Sequence, residues 1–162
     1  MTTSPFTTSH VRVESAKSFA EVTKDFERQL GKFDPTVLQS LRPDAEPDVA
    51  TARIEAMAGP SGFMLFGTTD HGALLSIFGE GRKAIQYVVG NPLIAIQMTR
   101  HNVAAGLYAP LRVLLYEDEQ GRTCLEYDKP SSLFGQFNDE RIASVASLLD
   151  RKLEELVTAA AG

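Results

Sequence analysis

The sequence contains no tryptophan and a single cysteine, Cys124. One thiol excludes an internal disulfide. Histidine is scarce too: His10, His71 and His101 show no metal-ligand spacing and no accompanying cysteine cluster, so no metal site is expected. Long apolar runs are missing. Leu93-Ile94-Ala95-Ile96 falls far below the ~20 residues that a membrane-spanning helix needs. The opening Met1-Thr2-Thr3-Ser4-Pro5-Phe6 has neither a basic start nor an apolar stretch, so the expectation is a cytoplasmic protein without a signal peptide. Positive charge is outnumbered, 16 basic against 21 acidic residues, for a net charge of -5. A field of that sign does not attract phosphate backbones or anionic lipid, so neither nucleic acid nor membrane is an expected partner.

Two catalytic signatures are also missing. Gly59-Pro60-Ser61-Gly62 lacks the spacing of a nucleophile elbow. Gly79-Glu80-Gly81-Arg82-Lys83-Ala84 loosely matches a dinucleotide fingerprint, but a pyrophosphate needs a helix N-terminus behind the glycines. Here Ile85-Gln86-Tyr87-Val88-Val89 favours a strand and stops at Gly90. Residues 79–83 therefore read as a hairpin turn, and no cofactor is expected.

What remains is an ordinary globular composition: 162 residues, 43% hydrophobic, with nine Phe and four Tyr for a core. The whole of 1–162 reads as one domain without linker or repeat. Alternation around Val11 and Val13 predicts a strand over 7–14. Ser18 and Glu21 stand at capping-box spacing ahead of a helix with Phe19, Val22, Phe26 and Leu30 on one face. Pro35, Pro43 and Pro47 mark a loop over 31–48, and Pro47 suits the start of a second helix lined by Ala50, Ile54 and Met57. Strands are predicted over 63–68, 73–78, 84–89, 111–117 and 123–127. Asn91-Pro92 opens a well-buried helix, and Asn138 caps a long final helix with Ile142, Val145, Leu149, Leu153 and Leu156 inward. These patterns give an α+β fold: a mostly antiparallel sheet of about six strands, with four helices packed on one face in two layers.

Few residues could carry chemistry. His71, beside Asp70 between two predicted strands, is the candidate general base. Neighbours in an extended segment point to opposite faces, so Asp70 equally reads as a turn cap. His101 near a helix C-terminus is explained by the dipole. Cys124, alternating within a strand, reads as a small core residue. Tyr127 ends that strand, where its hydroxyl could meet a ligand.

Several segments form a longer pattern. Phe63-Met64-Leu65-Phe66-Gly67-Thr68-Thr69-Asp70-His71 is followed by Val88-Val89-Gly90-Asn91-Pro92, then by Leu107 to Asp118, and last by Gly121-Arg122 and Tyr127-Asp128-Lys129-Pro130. This order resembles the bacterial and archaeal domain-of-unknown-function family DUF302, over residues 18–157. The resemblance implies a compact α+β fold with a curved antiparallel sheet backed by helices, and pairing as a homodimer. It implies no activity. The family's recurrent positions map to Asp70, His71, Asn91, Pro92, Pro110 and Tyr127. Asn91 and Pro92 are accounted for as a helix start and Pro110 as a strand entry, which leaves Asp70, His71 and Tyr127.

Three functions follow as expectations. The first is a small-molecule-binding or sensing module, holding an apolar or aromatic ligand with Asp70, His71, Asn91 and Tyr127 as candidate contacts. The second is a homodimeric interaction or regulatory domain without a ligand. The third is an enzyme using His71 as general base, oriented by a carboxylate. The first requires His71 and the end of the Tyr127 strand to meet.

Overall fold

Alternation of apolar and polar residues along the strands leaves each with one face to bury. The computed structural model, which describes residues 1–40 and 46–162, shows how they do so. Six strands form one sheet in the order β1-β6-β5-β4-β3-β2: β1 (His10–Ser15), β2 (Gly31–Lys32), β3 (Met64–Asp70), β4 (Ala84–Gly90), β5 (Leu111–Glu117) and β6 (Thr123–Asp128). Every pairing is antiparallel except β2 with β3. The register aligns Val13, Leu125, Leu115 and Ile85 across four strands, and Val113 with Tyr87 beside them. That face carries the core. The opposite face carries His10, Arg12 and Glu14 of β1, Tyr116 of β5, and Cys124 and Glu126 of β6.

Helices cover the apolar face. α1 (Phe19–Arg28) begins at Ser18, whose side chain accepts from the Glu21 amide while the Glu21 carboxylate accepts from the Ser18 amide at 2.9 Å. This is the reciprocal cap expected from the spacing. α1 buries Phe19, Val22 and Phe26, and Phe26 packs on the Tyr87 ring with centroids 4.9 Å apart. The buried Tyr87 hydroxyl donates to Glu27 at 2.9 Å, tying α1 to β4. The last helix, α7 (Glu140–Ala161), buries Ile142, Ala146, Leu149, Leu153 and Leu156 along one stripe. Between these lie α2 (Pro35–Ser40), α3 (Pro47–Glu55), α4 (His71–Ile77), α5 (Pro92–Thr99) and α6 (Pro130–Phe134), with 3-10 turns at Val103–Tyr108 and Gly135–Phe137. No helix of the described residues is long and apolar enough to cross a membrane.

Several sequence expectations are corrected. Residues 73–78 do not form a strand. Asp70 Oδ1 accepts from the Ala73 amide at 2.8 Å, and this N-cap starts α4 directly at the end of β3. The apolar run Ala73-Leu74-Leu75 suited either element, and the cap decided. Residues 79–83 consequently link α4 to β4 and are not a hairpin turn. The region 31–48 is not one loop. It holds β2 and α2, with Pro35 leading α2, and Pro47 opens α3; Pro43 lies outside the described residues. β1 starts at His10, three residues later than expected. Asp139, not Asn138, caps α7; Asn138 sits one residue earlier in the left-handed region at φ 50°. α5 is only partly covered, with Ile96 55% exposed. Pro130 begins α6, so the described residues hold seven helices where four were expected.

The stripe on α7 anchors the helical layer. Leu153→Ala leaves a void in a fully buried position and is expected to cost about 2–5 kcal/mol. The nearby exposed Arg151→Ala should stay within about 0.5 kcal/mol. Urea unfolding of both variants checks the difference.

Candidate functional site

Placement of the four candidate residues decides which could act together. Asp70 pairs with Ile85 at the start of β4, and its carboxylate is spent on the cap of α4. His71 is the first residue of α4 and half-buried. Among the described residues, no carboxylate lies within hydrogen-bonding reach of its ring. Asn91 follows Gly90 at the opposite end of β4, six residues beyond Ile85 or about 20 Å at strand rise. Tyr127 lies on β6, three strand spacings or about 14 Å across the sheet from β3. Its ring packs in the core at 6% exposure, and burial pushes its hydroxyl pKa up, with Glu154 and Asp150 adding to the effect. The structure therefore does not bring His71 and Tyr127 together. Asp70 and His71 share one end of the sheet; Asn91 and Tyr127 each stand apart.

The surroundings of Asn91 hold a cavity of about 210 Å³. Sequence and backbone explain why it is there. Leu65 pairs with Val89 and Gly67 with Val88, so Phe66 is an extra residue on β3 without a partner on β4. Such a bulge re-aims its side chain, and the Phe66 ring lines the cavity, stacked on Phe33 with centroids 4.0 Å apart. Gly90 allows β4 to pass close to Pro110: a Cβ on Gly90 would stand 3.1 Å from the Pro110 Cβ and 3.5 Å from the Phe66 ring. The Ala109–Pro110 peptide is cis. Asn91 then turns the chain into α5, its Oδ1 accepting from the Leu93 amide at 2.9 Å and its Nδ2 donating to the Gly62 carbonyl at 2.8 Å. α5 contributes Ile94, Ala95 and Met98 to the wall, α2 contributes Leu38, and α7 contributes Leu149. No charged side chain of the described residues lines this space.

The uncovered face of the sheet carries a polar network that reading the sequence missed. Arg12 Nη2 donates to Asp118 Oδ2 at 2.8 Å and to the Cys124 thiol at 3.2 Å. Arg122 donates to the same Asp118 oxygen at 2.8 Å and to Glu14 at 3.0 Å. The Arg122 guanidinium, helped by the Arg122 and Gln120 backbone amides, holds the Asp118 carboxyl down at about 2. Tyr116 donates to Glu126, and burial followed by that carboxylate pushes the Tyr116 hydroxyl well above its usual range. Cys124 is thus buried, as expected, but beneath this network and outside the hydrophobic core. Donor atoms of Glu14, Asp118 and Cys124 lie within 4.8 Å of one another, a spacing that could hold a metal ion. Both carboxylates are already paired with guanidinium groups, whose charge opposes a cation there. The alternation His10, Arg12, Glu14 was the visible signal for this face; Asp118 and Arg122, in the β5–β6 turn, gave none.

The family model described as "Domain of unknown function DUF302" matches residues 40–160, three quarters of the chain. The chain belongs to DUF302. The match spans Asp70, His71, Asn91 and Tyr127, together with Phe66, Met98 and Pro110 of the cavity, and begins after Leu38 and the whole of β1. The crystal structure of an uncharacterized conserved DUF302 protein from Bacillus stearothermophilus superposes with a TM-score of 0.66 at 18% identity, covering 93% of this chain and 97% of that one. At that identity the likeness carries the DUF302 fold alone. No curated protein matches the chain.

On the open face, His10 lies between two carboxylates, Nδ1 at 3.0 Å from Asp128 and Nε2 at 3.1 Å from Glu126. These bonds, to Asp128 first and Glu126 second, raise its pKa above 6.5. A raised folded-state value favours the native state fully below pH 6.5, and this contribution is lost as pH climbs through the folded value. The expected result is a wild-type urea midpoint that falls above pH 6.5, with a smaller fall in His10→Gln. Parallel slopes for both proteins would refute it.

Proposed function

We propose that this DUF302 protein is a small-molecule-binding module whose ligand sits in the cavity between Phe66, Asn91, Met98 and Pro110. The carrying observation is the wall itself. Its side chains are apolar apart from Asn91, and both polar atoms of Asn91 are satisfied within the protein. Such a space gains little from water and much from an apolar molecule. Asn91 is the one candidate contact that belongs to this site. Asp70 caps α4 and Tyr127 packs in the core, while among the described residues no carboxylate stands where it could orient His71 for general-base work. The single thiol of Cys124 supports a cytoplasmic setting.

A second reading, pairing of two copies, is favoured by α4 and the residue after it. Leu74, Leu75 and Ile77 are exposed, and Phe78 is 85% exposed. Leu75 borders the uncovered sheet face beside Leu114 and Tyr116. Exposed apolar groups in one place mark an interaction surface.

Two experiments test these readings. A ligand at about 100 times its Kd adds about 2.7 kcal/mol. A panel of neutral apolar compounds of one or two rings should therefore contain members that raise the Tm by several degrees. Ala95→Phe, which fills the cavity, should remove that rise; no rise with any compound, or an equal rise in Ala95→Phe, refutes the site. For pairing, light scattering should give a dimer mass at tens of micromolar for the wild type and a monomer mass for Phe78→Glu. A monomeric wild type refutes the dimer.

A further inference from the structure

Resting on the cavity reading above, we infer that the site selects an uncharged aromatic ring, over both an aliphatic ring of equal size and the same aromatic ring bearing a carboxylate. Three features of the wall carry this. The Phe66 ring is held in place by its stack on Phe33, with planes 21° apart, so it stands ready for a second ring. Preformed aromatic partners favour edge-to-face or offset contacts over aliphatic ones. Met98 brings a thioether to the same wall, and sulfur on an aromatic edge is likewise favourable. The volume, about 210 Å³, exceeds the roughly 150 Å³ known to admit benzene in an apolar cavity.

Exclusion of the anion follows from the start of α5. A helix N-terminus beside a cavity would ordinarily draw a carboxylate through its free amides. Here every early donor is taken. Pro92 has no N–H, the Leu93 amide goes to the Asn91 side chain, and the Ile94 and Ala95 amides go to the Asn91 carbonyl. A carboxylate placed against this wall would give up hydration there and find no free donor in exchange.

The test is a titration of the wild-type chain with toluene, methylcyclohexane and benzoate, read at the Met98 methyl signal by NMR. Toluene should bind about three- to tenfold more tightly than methylcyclohexane, the range an aromatic contact supplies. Benzoate should bind at least about a hundredfold more weakly than toluene. Phe66→Leu, checked for folding by its melting curve, should reduce the preference for toluene to the small part that Met98 supplies while retaining methylcyclohexane. Methylcyclohexane binding as well as toluene, or benzoate within tenfold of it, overturns the selectivity and leaves the apolar-cavity reading standing. A toluene preference undiminished in Phe66→Leu also overturns it. No shift of Met98 with any of the three overturns both.

Discussion

Phe66 occupies a place on β3 that has no counterpart on β4, and the rest of the candidate site follows from where its ring is sent. In regular pairing every second side chain faces the core, and an extra residue breaks that alternation locally. The displaced ring stacks on Phe33, just after β2, so the short parallel strand at the sheet edge gains an apolar anchor. On the other side, Gly90 lets Pro110 approach where a side chain would have kept β4 and the entry to β5 apart. Asn91 closes the arrangement by spending both ends of its amide on the protein. The space left is bounded by groups that have no use for water.

The two faces of the sheet do different work. One packs against α1 and α7 through interlocking apolar rows, and the buried Tyr87 hydroxyl finds Glu27, so the covered layer leaves few polar costs. The other is held by ion pairs around Asp118 and by the pairing of His10 with β6. The exposed His10–Asp128 pair contributes about 0–1 kcal/mol, and the pairs on the nearly buried Asp118 still have their arginine partners open to solvent. They orient β1, the edge strand, more than they stabilise the fold, and charged side chains also guard such an edge against pairing with another chain. A binding site placed on the covered side can therefore draw on a rigid wall.

Much of this architecture was legible in the residues, and the failures have physical causes. Ser18 with Glu21, Asn91 with Pro92, and the α7 stripe each combine a local cap or turn signal with periodicity, and all three elements formed. Residues 73–78 are ambiguous in sequence because Leu and Ile occur in helices and strands alike, and only the Asp70 side chain bonding the Ala73 amide separates the two. Asp70 read as a turn cap anticipates this bond but not the helix it starts. Asn138 and Asp139 are adjacent capping residues, and sequence alone does not rank them. The candidate site was harder still. Bringing the turn at His71 to the end of the Tyr127 strand presumes a hairpin-built sheet, while the order of strands, which sets them three spacings apart, has no local signature. A bulge at Phe66 is equally invisible, since Met64 to Thr68 reads as an unbroken strand until its partner is known.

Diffraction from a wild-type crystal held under xenon pressure tests the central claim, that a dry and reachable apolar space exists beside Phe66. Xenon enters apolar cavities and avoids hydrated ones. A xenon atom in contact with Phe66, Met98 and Pro110 is the expected result. Ordered waters filling that space, or xenon absent from it, would contradict the account.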